Sequence, residues 1–341
     1  LLRRLANAIA SGRFPQATLL VGPPGSGKQR VALWAAQALL CEAETERPCG
    51  QCAACRQVLA LSHPDLHWFI PILRPKSGDK DKQVAEAEAL LAEAVSERRD
   101  NPLYGPPDPM ASHPLASIRL LQRRMVLKPF QATRKVVVLG NAERLVVQEA
   151  SQEAANALLK LLEEPPANTF VILTTREAQS LLPTIRSRLV PVRVAGVGDD
   201  VVRRFLTHEL KPVPRGAELD QRVLFAEGCI GRVVEAGTGG DASSRAAERL
   251  LAAVRGGPRQ WAAAALAQPP WSARGNFTAL LEAVTLRLRQ ALAQDAGADA
   301  ERVRRWIAAI RLVQGIRQDA QGNANPQLAL AVLAHNLQAL A

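Results

Sequence analysis

The sequence predicts an α/β domain built on a parallel sheet, followed by an all-α remainder, and three observations carry that expectation. Short apolar runs recur at "TLLV" (18–21), "LHWFI" (66–70), "KVVVL" (135–139), "TFVILT" (169–174) and "LVPVRV" (189–194), with helical patterns between them. Strands buried on both faces of a parallel sheet read as continuous apolar runs of this kind. A glycine-rich stretch, "GPPGSGKQ" (22–29), follows the first run and precedes a helical stretch from Gln29 to about Leu40. A phosphate loop belongs there, because the helix N-terminus adds its dipole to the backbone N–H groups. After "AGTGGDASS" (236–244) only helical periodicity remains.

Composition sets the frame. The chain has 341 residues and 48% hydrophobic content, enough to fill two or three ordinary cores. No apolar run reaches the length of a membrane span, and Leu1, Leu2, Arg3 and Arg4 do not open a signal-peptide stretch, so the expected location is cytoplasmic. The net charge of +11 suits nucleic acid or an acidic partner. Because the basic residues are spread along the whole chain, a basic and well-solvated surface explains the charge equally well.

Just past the predicted helix comes "CEAETERPCGQCAACRQ", with Cys41, Cys49, Cys52 and Cys55 in the spacing C-x7-C-x2-C-x2-C. In a reducing compartment four thiolates so close favour tetrahedral zinc over disulfides. Four sulfurs leave no open position, so the expected zinc is structural. Cys229 stands alone and reads as a buried small apolar residue. His63 and His67 are four apart, but Pro64 between them argues against a helix aiming both rings at a metal.

Between residues 71 and 114 the sheet pattern stops. The segment holds "RPKSGDKDK", a surface helix from Gln83 to Arg99 and the proline-rich "NPLYGPPDPMASHP", and it predicts a mobile excursion with no chemistry assigned. Gly196 and Gly198 close the α/β part, which places the domains at 1–195, with the cysteine knuckle at 41–55, then a small helical lid at 196–238 and a helical collar at 239–341. In the collar, Val303, Trp306, Ile307, Ile310 and Val313 are expected on one helix face, and Asn325 is expected to cap a helix whose first residue is Pro326.

The loop's chemistry is incomplete. Gly22, Pro23, Pro24, Gly25, Ser26, Gly27, Lys28 and Gln29 match the phosphate-loop pattern G-x-x-x-x-G-K-[ST] except at its end, where Gln29 replaces the hydroxyl that ligates magnesium. Phosphoryl transfer also needs an acidic strand end to hold the metal and orient water. The third run ends "VVVLGNAERL", with Gly140 and Asn141 where carboxylates are expected and Glu143 two residues on. Two independent defects coincide, so the expectation is a loop that accepts phosphate, as ATP or ADP, without hydrolysing it.

The run "QEAANALLKLLEEPPANTFVILTTREAQSLLPTIRSRLVPVRV" (152–194) closely resembles the heart of bacterial clamp-loader ATPase domains of the AAA+ class. The four-cysteine insertion followed by "SHPDLHWF" is similar to the same family. With its damaged hydrolysis motifs the chain resembles the family's non-hydrolysing member over nearly all its length, most weakly in 71–114 and 241–320. The resemblance implies that Ser187 and Arg188 match the segment whose arginine enters the ATP site of the adjacent subunit, with Leu189 replacing a cysteine. From the local sequence alone, a finger in trans and an ion pair with a nearby carboxylate are equally supported; the resemblance favours the finger, with Arg186 as a control. Thr174 matches a first sensor position, although a strand-end Thr bonding its own backbone is the plainer reading. In "GCIGRVVEAG" (228–237), Arg232 matches a second, phosphate-facing sensor or survives as a packing residue. Glu163 and Glu164, at a helix end before Pro165, read as solvated.

The fold so implied is an AAA+ phosphate-loop domain with a zinc knuckle, a helical lid and a helical collar. The implied partners are gamma or tau ATPase subunits and a delta subunit in a heteropentamer, a sliding clamp and primer-template DNA, the DNA being touched through its backbone. Two other functions remain open: an active gamma- or tau-like ATPase, and a zinc-dependent DNA-binding protein that uses the knuckle.

Overall fold

A computed structural model describes residues 1–44, 46–105, 107–108, 110–145, 153–238, 240–268, 274–295, 299–319 and 325–340. Gln152, which opens the family-like run, and Gly239 therefore lie outside the described residues. The chain divides into two units, residues 1–234 and 235–341.

The first unit is a five-stranded, wholly parallel sheet covered by helices. In chain order it runs α1 (Leu2–Ala10), β1 (Ala17–Val21), α2 (Lys28–Leu40), α3 (Ala53–Leu59), β2 (Leu66–Phe69), α4 (Lys80–Asp100), α5 (Leu115–Val126) and β3 (Lys135–Leu139). There follow α6 (Glu153–Glu163), β4 (Thr169–Thr175), α7 (Pro183–Arg186), β5 (Val190–Arg193), α8 (Asp199–His208), α9 (Gly216–Ala226) and α10 (Ile230–Thr238). The strands lie in the order β2-β3-β4-β1-β5. The expected apolar runs are these five strands, each within two residues at its ends. Val136, Val137, Val138 and Leu139 are wholly buried, as a central parallel strand requires, and each contributes about 1.5–3 kcal/mol of apolar burial. Because β1 lies between β4 and β5, the sheet has a switch point beside β1, and the crevice beyond the strands' carboxyl ends is where such sheets take ligands.

The described residues of the 71–114 segment are tied to the main core, where composition suggests a free excursion. Ile72 and Ser112 exchange two backbone hydrogen bonds of 2.9 Å, which close the segment at its base. Between them α4 is longer than expected, with Asp79 capping the N–H groups of Asp81 and Lys82. Its Val84, Ala87 and Leu91 enter the main core. Arg98, 8% exposed, lies over both Trp68, at 5.2 Å, and Tyr104, at 4.6 Å. Aromatic faces compensate part of the cost of burying that guanidinium. Proline and charge content marked the segment as an excursion carrying a surface helix, whereas one apolar stripe and one stacked arginine anchor that helix to the core.

Val202, Leu206, Val223, Ala226 and Val233 form a small separate core among α8, α9 and α10. The second unit is all helix among the described residues: α11 (Gly240–Gly256), α12 (Pro258–Leu266), α13 (Arg274–Gln294), α14 (Ala300–Asp319) and α15 (Pro326–Leu340). Its core takes Leu250, Leu281, Val284, Val313, Leu330 and Leu333. The Asn325 side chain accepts from the N–H of Gln327 at 2.9 Å, with Pro326 opening the helix as the sequence predicts. Ile307 does not join the expected stripe; it is 38% exposed, and Ala309 is the buried residue instead. No helix among the described residues is long and apolar enough to cross a membrane.

Candidate functional site

The loop between β1 and α2 is shaped by glycine. Gly25 and Gly27 have φ of 75° and 81°, in the left-handed region. At Gly22 a Cβ would meet the Val194 carbonyl oxygen at 2.1 Å, so the chain passes there only as glycine. Gly27 caps α2 without a side-chain acceptor, leaving the first-turn N–H groups directed at the loop. Lys28 is 9% exposed, and its ammonium donates to the Pro23 carbonyl at 2.8 Å. The Ser26 hydroxyl is buried with no partner among the described residues. Backbone N–H groups, a lysine and an orphaned hydroxyl make a donor set that fits a phosphate.

The cation side of the same crevice has another character. The Gln29 amide donates to Asn141 Oδ1 at 2.7 Å, and its Oε1 is buried against the Cα of Gly140, where a Cβ would stand only 2.7 Å away. Asn141 in turn donates to Glu143 Oε1 at 3.4 Å, and that oxygen lies 3.5 Å from Arg176 Nε. The side chain that replaces the loop hydroxyl thus fills the volume left by Gly140. Glu143, which sequence left as a spare carboxylate, is drawn into a relay that reaches the Arg176 guanidinium. Gln29 Oε1 and Glu143 Oε2 are buried without a partner among the described residues, so the site offers two side-chain amides and one carboxylate shared with Arg176 where magnesium takes a near-octahedral set of oxygens.

Thr174 does not bond its own backbone; its hydroxyl accepts the N–H of Asn141 across the sheet at 3.1 Å. It therefore holds the end of β3, where Asn141 has a φ of 54°. Arg232 pairs with Glu227 at 2.5 Å. Sequence reasoning missed what lies beside it: the N–H of Gly231, in the first turn of α10, donates to the Gly25 carbonyl at 2.9 Å. A Cβ on Gly25 would meet the Arg232 backbone nitrogen at 2.7 Å. Helix α10 thus sits on the loop between β1 and α2 with no room for a side chain. The glycines of "PG" (24–25) and "IG" (230–231) were the available signal, readable only once the two segments are known to meet.

Ser187 and Arg188 follow α7. Arg188 donates to the Thr184 carbonyl at 2.7 Å and to Glu163 Oε1 at 2.6 Å. The structure thus supplies the nearby carboxylate, and Glu163 is paired rather than merely solvated. β5 begins at Val190, in register with Thr18 of β1, four residues before Gly22. At about 3.3 Å per residue this puts the start of β5 roughly 13 Å from the loop, and Arg188 lies further back still. The loop is at the carboxyl ends of the strands and Arg188 at their amino ends.

The four cysteines form a separate centre. Their sulfurs all lie within 4.8 Å of one another, with Cys41 and Cys52 3.9 Å apart and Cys49 and Cys55 4.0 Å apart. A tetrahedron with Zn–S bonds of about 2.3 Å places sulfurs roughly 3.8 Å apart, so the set fits zinc. Backbone N–H groups of Cys49, Cys52 and Cys55 each reach a cysteine sulfur at 3.4 Å. Such bonds, from Cys52 first and then Gln51, bring the Cys49 thiol down to about 6, while burial pushes Cys55 up. A divalent metal would supply the charge that four adjacent thiolates need. Cys229 is buried, 1% exposed.

A family model described as DNA polymerase III, delta subunit, matches residues 1–197. Among curated relatives, the chain is 33% identical over 187 residues to DNA polymerase III subunit delta' of Yersinia pestis, covering 54% of this chain and 43% of that one. It is 35% identical over 175 residues to the delta' subunit of Pseudomonas aeruginosa, covering 51% and 41%. It is also 30% identical over 187 residues to DNA polymerase III subunit tau of Bacillus subtilis, covering 54% and 26%. The matches thus span less than half the length of these relatives.

Proposed function

We propose that this chain, which belongs to the DNA polymerase III delta-subunit family, acts as a delta-prime-like clamp-loader subunit that assists a neighbour's ATP hydrolysis and performs none itself. The observation that carries the reading is the Gln29–Asn141 hydrogen bond of 2.7 Å, laid over Gly140 at the place where an ATPase would hold its metal. Lys28 and the first-turn N–H groups of α2 are suited to a nucleotide phosphate, so ATP or ADP is a ligand the loop can take without magnesium.

The assistance comes from Arg188. A planar, permanently charged guanidinium can bridge two phosphate oxygens, and a finger supplied in trans is worth on the order of a thousandfold in rate. Its position at the strands' amino ends, away from the chain's own loop, supports action on an adjacent subunit. The partners that fit this role are gamma or tau ATPase subunits, a delta subunit, the sliding clamp and primer-template DNA, in a cytoplasmic assembly. The cysteine centre would hold structural zinc, tying the chain that follows α2 to α3.

The test is turnover. The pure chain is expected to release no phosphate from ATP and magnesium above background, whereas magnesium-dependent release abolished by Lys28→Ala would establish an active motor instead. In the ring assembled with gamma or tau and delta, Arg188→Ala is expected to lower ATPase at least severalfold with assembly intact, and Arg186→Ala much less.

A further inference from the structure

We infer that Glu163 is a positioning residue for Arg188: it holds the guanidinium in its working orientation before a neighbouring phosphate arrives. The inference rests on the trans role of Arg188 proposed above. Glu163 is the last residue of α6, whose terminal carbonyls already favour a cation. Its Oε1 accepts from Arg188 Nη2 at 2.6 Å, while Nη1 donates to the Thr184 carbonyl at 2.7 Å. The partners come from two different helices, Glu163 from α6 and Thr184 from α7, and bind different nitrogens, so they constrain the plane of the guanidinium as well as its position.

The arginine remains reachable. Its side chain is 33% exposed, and Glu163 is 47% exposed. A guanidinium has five donors; Glu163, Thr184 and the Ser187 hydroxyl, 3.4 Å from Nη1, use three of them, leaving the second Nη2 N–H and the Nε N–H for phosphate oxygens. An exposed pair of this kind contributes little to folding, because solvent screens it and both side chains lose freedom. Its consequence lies elsewhere. A loose arginine has rotamer freedom to lose on docking, and one already held by these partners loses less of it at the transition state. Glu164, the adjacent carboxylate in the same "LEEPP" sequence, has no such contact with Arg188 among the described residues, which makes it a control.

The experiment uses the pentameric ring reconstituted with gamma or tau and delta subunits, loaded with ATP and magnesium, and reads kcat and KM. Glu163→Ala is expected to lower kcat on the order of threefold to tenfold with KM little changed, and Glu163→Gln, which keeps an acceptor oxygen, to lose less. Glu164→Ala is expected to match the parent ring. In rings already carrying Arg188→Ala, adding Glu163→Ala is expected to change nothing further, since its whole effect passes through the arginine. A Glu163→Ala ring that turns over like the parent, or faster, overturns the proposal. So does an effect of Glu163→Ala that persists without Arg188, which would mark a structural role. If Arg188→Ala alone leaves turnover unchanged, the trans reading itself fails, in an arm where Glu163 is untouched.

Discussion

Gln29 and Gly140 occupy one another's space: the Gln29 carboxamide oxygen rests where a Cβ at position 140 would stand, 2.7 Å away. The amide at one end of the crevice and the missing side chain at the other therefore meet in one contact. Gly140→Ala is expected to displace Gln29, break its bond to Asn141 and cost about 1–2 kcal/mol in denaturant unfolding. In a Gln29→Ala background the same substitution is expected to cost much less, so the pair is non-additive in a double-mutant cycle. Equal costs in the two backgrounds would show that the two positions are independent.

Gly25 and Gly231 make a tighter contact, backbone to backbone. At Gly25 the positive φ adds about 1–2 kcal/mol of strain for any other residue, and the atom in the way is the Arg232 amide nitrogen, which has no rotamer to escape into. Gly25→Ala is expected to cost at least 2 kcal/mol and to speed hydrogen exchange in α10 more than in β3. Gly27→Ala has a similar φ but open space around it, so it should carry the strain without the loss of lid protection. Equal exchange in α10 for both variants would separate the lid from the loop.

These contacts show where sequence reading reaches its limit. The five strands were legible because burial on both faces demands an unbroken apolar run, and "KVVVL" has no other comfortable place. The cysteine centre was legible because its ligands are close in sequence. Gln29 and Asn141 are 112 residues apart and Glu163 and Arg188 25 apart, so neither pairing has a local signature. Arg98 misled in a different way: a charged residue beside prolines reads as surface, and only Trp68 and Tyr104 arriving from other segments make it a buried anchor.

The cysteine centre gives a prediction independent of the crevice beside β1. Cys52→Ser is expected to lower bound zinc well below one per chain by elemental analysis and to destabilise the α2–α3 connection. Chelation of the parent protein should act the same way and reverse when zinc is returned. DNA affinity that disappears with zinc while far-ultraviolet circular dichroism is unchanged would instead favour a nucleic-acid role for the knuckle.

Acid should also weaken the fold in a definable window. His113 is 2% exposed, bonds the Gly140 carbonyl at 2.7 Å through Nε2, and is held neutral by burial, with its pKa lowered to about 4. Burial likewise lowers His67 to about 4, helped by Arg124 and Lys135. In the unfolded chain a histidine titrates near 6.5, so between about 6.5 and 4 the unfolded state binds more protons and stability falls as pH falls. Asp65 adds a second stage. Its burial opposes ionisation, but the N–H groups of Ala132, Phe130 and Gln131 at 2.7, 2.6 and 2.8 Å hold its carboxyl below the usual range. That contribution is present above the ordinary carboxylate pKa, near 4, and is lost as pH drops through the lower folded value. His113→Gln keeps a donor for Gly140 and removes a titrating group, so its melting temperature, lower or not at pH 8, should fall less steeply from pH 6.5 to 4.5 than that of the parent. An identical slope would mean that His113 does not couple protonation to folding at the Gly140 corner.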